Sequence, residues 1–183
     1  MSGIVGGRNN RGSGLIADLG TDGQILTSSG LGLRQVYEAA AGGGKLLQVV
    51  NATRTSAANV GATEADTGLT ATITTTADNS KILVIVTQEL SKSGMATAAG
   101  HTTILNQAGS NVVTIQKQAG YNEINGIRMS SNSFSWLSAT VSSASTSVVF
   151  KTRGKHSSAS YSGNMEYGHD GSMSTMTLIE IGA

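Results

Sequence analysis

Between Lys81 and Thr87 the chain reads Ile82-Leu83-Val84-Ile85-Val86, an unbroken apolar run in which every residue but Leu83 is β-branched. Such a run lacks the two-residue alternation of a half-buried strand, is too short for a helix, and is stiffened by its β-branched side chains. It reads as a central strand covered on both faces, the spine of a sheet core. Ala77-Asp78-Asn79-Ser80 turns the chain just before it.

Similar runs recur at short intervals. Leu69 to Thr75 alternates apolar residues with threonine, the period of a half-buried strand. Further strands are expected at Leu46–Thr53, Thr102–Asn106, Asn111–Lys117, Gly126–Met129, Phe134–Val141, Ser147–Arg153 and Ser174–Ile181, separated by Gly, Asn and Ser turns. A polar loop is expected from Ser56 to Thr67. No segment carries a helical period, so the chain is all-β, and the spacing fits an antiparallel sandwich or a barrel.

Composition narrows the function classes. Of 183 residues, 38% are hydrophobic but only 13% are charged, against a usual charged share of about 25%. The surface is therefore neutral and rich in hydroxyls. A net charge of +1 gives no broad basic footprint, and no nucleic-acid partner is expected. The chain has no cysteine and no proline, which removes disulfides and cysteine-based zinc sites. The N-terminal residues lack the apolar stretch of a secretory signal, and no run approaches the roughly 18 residues of a membrane span, so no membrane insertion is expected.

Gly42-Gly43-Gly44 divides the chain. We read residues 1–41 as an anchoring arm with a small hairpin, 42–44 as a glycine joint, and 45–183 as the head. In the arm, Ile4, Val5, Leu15 and Ile16 form two apolar pairs, with Arg8 and Arg11 between them. They are too few for a core, but they suit a partner's groove or sheet edge. Asp22-Gly23 and Ser29-Gly30 then flank a strand-like run, Gln24 to Ser28, and a second run follows at Arg34 to Glu38.

The pattern Gly20-Thr21-x-Gly23-Gln24-Ile25-Leu26-Thr27-Ser28-x-Gly30, followed by an aromatic-containing strand and a Gly-rich joint, resembles a segment of tailed-bacteriophage virion projection proteins: tail fibres, head fibres and capsid decoration proteins. The ending Leu178-Ile179-Glu180-Ile181 resembles the last strand of phage fibre heads. The resemblance implies a C-terminal β-sandwich head of jelly-roll type, a homotrimer, and a place on the virion surface. Its arm would hold the major capsid protein or another virion protein, and its head would be free to meet a host surface glycan. Oligomerisation also follows from composition, since strands rich in Ala, Thr and Ser bury little apolar area at about 25 cal/mol per Å².

No catalytic constellation is expected, nor any metal or cofactor. His101 and His156 read as surface residues. Glu166-Tyr167-Gly168-His169-Asp170 gathers two carboxylates and an imidazole on a Gly-rich loop, but the spacing matches no metal pattern, and His169 and Asp170 read as surface contacts. Lys151, Arg153 and Lys155 recur every second residue, hence on one strand face. They read as protection of an edge strand or as a positive stripe for an acidic ligand. Phe134 and Trp136 share a strand face and read as core. Two jobs fit: a capsid decoration or short head-fibre protein, and alternatively a short tail fibre whose head binds the host. A glycan depolymerase would need paired carboxylates in a long repeat fold, and the chain has neither.

Overall fold

The computed structural model describes residues 24–28, 35–39, 44–93, 99–122, 128–157 and 164–183. The arm residues and the turn of the hairpin lie outside the described residues. The chain divides into two compact units, Met1–Gly43 and Gly44–Ala183. In the first, β1 (Gln24–Ser28) pairs antiparallel with β2 (Gln35–Ala39), Gln24 opposite Ala39 and Ser28 opposite Gln35.

Among the described residues the second unit holds ten strands: β3 (Leu46–Arg54), β4 (Ala58–Asn59), β5 (Ala65–Thr74), β6 (Lys81–Ser93), β7 (Ala99–Gln107), β8 (Ser110–Asn122), β9 (Arg128–Leu137), β10 (Ser147–His156), β11 (Asn164–Tyr167) and β12 (Ser174–Ile181). All pairs are antiparallel. One sheet has the order β5-β10-β7-β8. In the other, β12 lies against the first half of β6 and β11 against its end, along the same side. β3 and β4 repeat that arrangement one lane further out, and β9 takes the other side of β6.

Two four-lane sheets result. Counting lanes in chain order, with β3/β4 as the first and β11/β12 as the last, one sheet runs 1-8-3-6 and the other 2-7-4-5. This is the double Greek key of a jelly roll, an open sandwich and not a barrel.

Strand alternation decides the core. On β6, Ile82, Val84 and Val86 point inward and are fully buried, in one cluster with Leu69, Ala71 and Ile73 of β5 and Val148 and Phe150 of β10, while the buried Leu90 joins a second, small cluster with Val60, Met165 and Tyr167. Met176 and Leu178 of β12 complete the first cluster, and Phe134 and Trp136 pack against it as expected. The Trp136 and Phe150 rings meet edge to face at 6.3 Å. The apolar cluster fills one end of the sandwich.

Four expectations need correction. β6 is covered on its inner face only, since Ile85 is exposed and Leu83 half-buried on the outer one. The two strands expected at 126–129 and 134–141 are one strand, β9, because Ser130-Ser131-Asn132-Ser133 does not turn but pairs with Thr87 to Leu90. His101 and His156 are buried, not superficial: they lie opposite each other on β7 and β10, at positions whose alternation points inward. The polar stretch 56–67 holds β4 and the start of β5.

Candidate functional site

The anchor candidates Ile4, Val5, Arg8, Arg11, Leu15 and Ile16 lie outside the described residues. Lys151, Arg153 and Lys155 occupy outward positions of β10, which is flanked by β5 and β7 and so is no edge strand. Edge protection is therefore not their role. Lys151 Nζ donates to Asp66 Oδ2 at 2.8 Å, and Arg153 Nε to Asp66 Oδ1 at 3.0 Å. Arg153 also meets Glu64 Oε1 at 2.6 Å. Glu64 in turn accepts from Asn111 Nδ2 at 2.9 Å, and Asn111 Oδ1 accepts from Asn106 Nδ2.

On this outer face Lys151 and Arg153 are paired with Asp66 and Glu64, and Lys155 stands two residues further along as a third cation. The Lys151 hydrogen bond, helped by the Lys151 and Arg153 charges and opposed by burial, holds the Asp66 carboxyl below the usual range. With Lys151 and Arg153 engaged, the face presents paired charges beside the amide groups of Asn111 and Asn106.

His169 lies in a one-turn 3-10 segment, His169–Gly171, introduced by Gly168 in the left-handed region at φ 76°. Its Nδ1 is 2.7 Å from Glu166 Oε2 and its Nε2 3.4 Å from Asp170 Oδ2. The Glu166 hydrogen bond is the largest influence on the imidazole and raises its pKa; burial opposes it, and the charges of Asp170, Glu166 and Glu89 add to the rise. Glu166, His169 and Asp170 therefore come together as the sequence suggested, as an ion-paired loop. Among the described residues no group of three His, Cys, Asp or Glu is arranged to hold a metal ion.

Two arrangements escaped the sequence reading. The end of the sandwich away from the apolar cluster is a polar layer. Thr67 Oγ1 donates to the Thr152 carbonyl and accepts from Gln88 Nε2 at 3.1 Å. Asn132 Nδ2 donates to Thr103 Oγ1 at 2.7 Å, and Thr103 shares a 2.8 Å bond with the Tyr167 hydroxyl. Burial pushes the Tyr167 hydroxyl far up despite the Thr103 bond. His101 meets the Tyr167 ring edge to face at 5.3 Å. That ring fills the space a side chain would need at Gly154, so glycine is required there by close approach.

The second is Glu180, fully buried at an inward position of β12. Its carboxylate accepts from Gln48 Nε2 at 2.6 Å, from the Thr76 amide at 2.9 and 3.0 Å, from Thr76 Oγ1 at 3.0 Å and from the Ala77 amide at 3.2 Å. Burial alone would raise its pKa, but these bonds outweigh it and hold the carboxyl down to about 2. The bonds tie the last strand of one sheet to the turn leaving β5 of the other. None of these groups pairs a nucleophile with a base.

No protein-family model matches the chain, and no curated protein matches it. Among solved structures it is similar to a chain from a structure of infectious bursal disease virus, Gx strain, at 15% identity and a TM-score of 0.34, with 85% of this chain and 36% of that chain covered. This chain therefore spans little more than a third of the other's length. A likeness so slight decides neither fold nor function, and both rest on the strands and side chains described above.

Proposed function

We propose that the chain is a structural protein of the bacteriophage virion surface. It acts without catalytic turnover, as a homotrimer anchored through its N-terminal arm, in capsid decoration or as a short head fibre. One observation carries the reading: the hairpin bearing the Gly-Thr-x-Gly-Gln-Ile-Leu-Thr-Ser-x-Gly pattern leads within a few residues into a jelly-roll head. Jelly rolls serve in viral capsids, lectins and cupins. The fold alone does not select among these, and the hairpin pattern supplies the selection.

The joint between Ala39 and Lys45 is short, so it holds the head close to whatever the hairpin is fixed to. That favours decoration over a far-reaching fibre. Ile4, Val5, Arg8, Arg11, Leu15 and Ile16 are the contacts with the major capsid protein or another virion protein. The paired charges and amides on the outer face of β10 support one second reading, a short tail fibre whose head meets a receptor or glycan of the host surface.

Gold-labelled antibody on intact particles separates the two: many copies over the head support decoration, and a few at the tail support the fibre. Removing residues 1–41 is expected to leave a soluble, folded oligomer that no longer joins the particle. Incorporation of that shortened protein would refute the anchor.

A further inference from the structure

We propose that the polar end of the head binds ordered water between its two sheets, through the side-chain carbonyls of Gln88 and Asn132. Register sets these residues opposite each other, Gln88 on β6 and Asn132 on β9, and both are buried, at 0% and 3% exposure. Directly opposed side chains on one sheet face have their Cβ atoms about 4.5 to 5.5 Å apart. Two amides are thus rooted side by side on the inner face.

The hydrogen bonds around them show what each amide still lacks. Gln88 Nε2 donates to Thr67 Oγ1, whose own hydrogen goes to the Thr152 carbonyl. Thr152 lies at the register shift of β10 against β5, where the ladder is interrupted. Asn132 Nδ2 donates to Thr103 Oγ1. The Tyr167 hydroxyl donates to the Thr102 carbonyl at 3.2 Å, so the hydrogen between Thr103 and Tyr167 comes from Thr103. Both threonine hydrogens are therefore committed, and Gln88 Oε1 and Asn132 Oδ1 meet no donor among the described residues. Turning either amide over would only exchange an unmet acceptor for unmet hydrogens.

A buried acceptor without a donor is costly, and nearly all such groups in folded proteins are met by protein or by internal water. The ligand here has to bring hydrogens to two carbonyl oxygens. Water brings two, and a buried water typically makes about three hydrogen bonds to groups of this kind. The layer also suits its size. Thr67, Thr103 and Thr152 fill less of the roughly 10 Å between packed sheets than Leu69, Ile73 and Phe150 do at the apolar end. A metal ion is the other species that carbonyl oxygens attract, but it takes about six oxygens and favours carboxylates. The printed partners of these two amides are hydroxyls, and the basic residues Lys92, His101 and His156 are buried at the same end.

NMR of the full chain tests this. The side-chain amide hydrogens of Gln88 and Asn132 are expected to show Overhauser effects to water with the negative sign of a long-held molecule. Relaxation dispersion of the water oxygen nucleus counts such molecules. Gln88→Met with Asn132→Leu removes both carbonyls at similar volume and is expected to lower the count by at least one, with an unchanged circular dichroism spectrum. Asn51→Leu, at an exposed position on β3, is expected to leave it unchanged. An undiminished count in the folded double variant refutes the site. If that variant does not fold, the unaltered protein decides: negative Overhauser effects at the two amides support the site, and their absence refutes it. Effects that vanish when sodium is replaced by choline assign an ion and overturn the water.

Discussion

Glu180 is the residue on which the two sheets are tied most tightly, and its chemistry is that of an acid latch. Its carboxyl is held down to about 2 in the folded chain against an ordinary value of 4.5. A depressed carboxyl stabilises the fold above the unfolded value, and that contribution is lost as pH falls through the folded one. The window is therefore pH 4.5 down to 2, and the contribution at neutral pH is at most about 3 kcal/mol. Glu180→Gln is expected to destabilise the head by roughly 2 to 3 kcal/mol at pH 7. Urea melts across pH should show the acid loss in that window for the unaltered chain and a smaller loss in the variant, where Asp66 still titrates below its ordinary range. An unchanged acid limb would refute the latch. His169 works with the opposite sign: its raised pKa favours the fold below the ordinary 6.5, and the advantage goes as pH rises through the folded value. The NMR titration of His169 is expected to have its midpoint above 6.5 and to move down in Glu166→Gln. A midpoint at or below 6.5 in the unaltered chain would show that Glu166 does not hold the imidazolium.

At the scale of strands, legibility followed alternation. Lys81 to Thr87 announced the central strand because five apolar residues in succession suit little else, and Ser174–Ile181 matches its expected bounds because Met176 and Leu178 alternate with threonine. The same alternation puts Glu180 on the inward side. That was readable, but a carboxylate inside a strand looks like surface until its donors, Gln48, Thr76 and Ala77, are brought from other strands and turns. β9 was hidden for a different reason. Ser130 to Ser133 has turn composition, and only pairing with β6 holds it extended. β4 and β11, at two and four residues, are too short for any period to show. Among candidate sites, the Lys151 stripe was legible as a stripe. Its neutralisation was not, because Asp66 lies on β5 and Glu64 just before it, both nearly ninety positions earlier in the chain.

Across the whole head, the two ends of the sandwich are held by different forces, and the difference has a kinetic signature. One end buries Leu69, Ile73, Ile82, Val84, Val86, Phe150, Met176 and Leu178 in one continuous cluster, where each side chain contributes about 1.5 to 3 kcal/mol. The other has the small cluster Val60, Leu90, Met165 and Tyr167, together with a network of threonines and amides. Net hydrogen-bond contributions are about 0.5 to 1.5 kcal/mol each, because the same groups bond to water once that end opens. The polar end is therefore the weaker cooperative unit. Native-state hydrogen exchange is expected to show the amides of Val60 and His156, which donate to Met165 and Gly61 carbonyls, opening by a partial unfolding. Those of Val84, Phe150 and Leu178 should exchange only with global unfolding. Added denaturant should merge the two groups as the global route takes over. Equal exchange free energies at both ends without denaturant would mean that the polar layer is as strong as the apolar core, and that the sandwich unfolds as one piece.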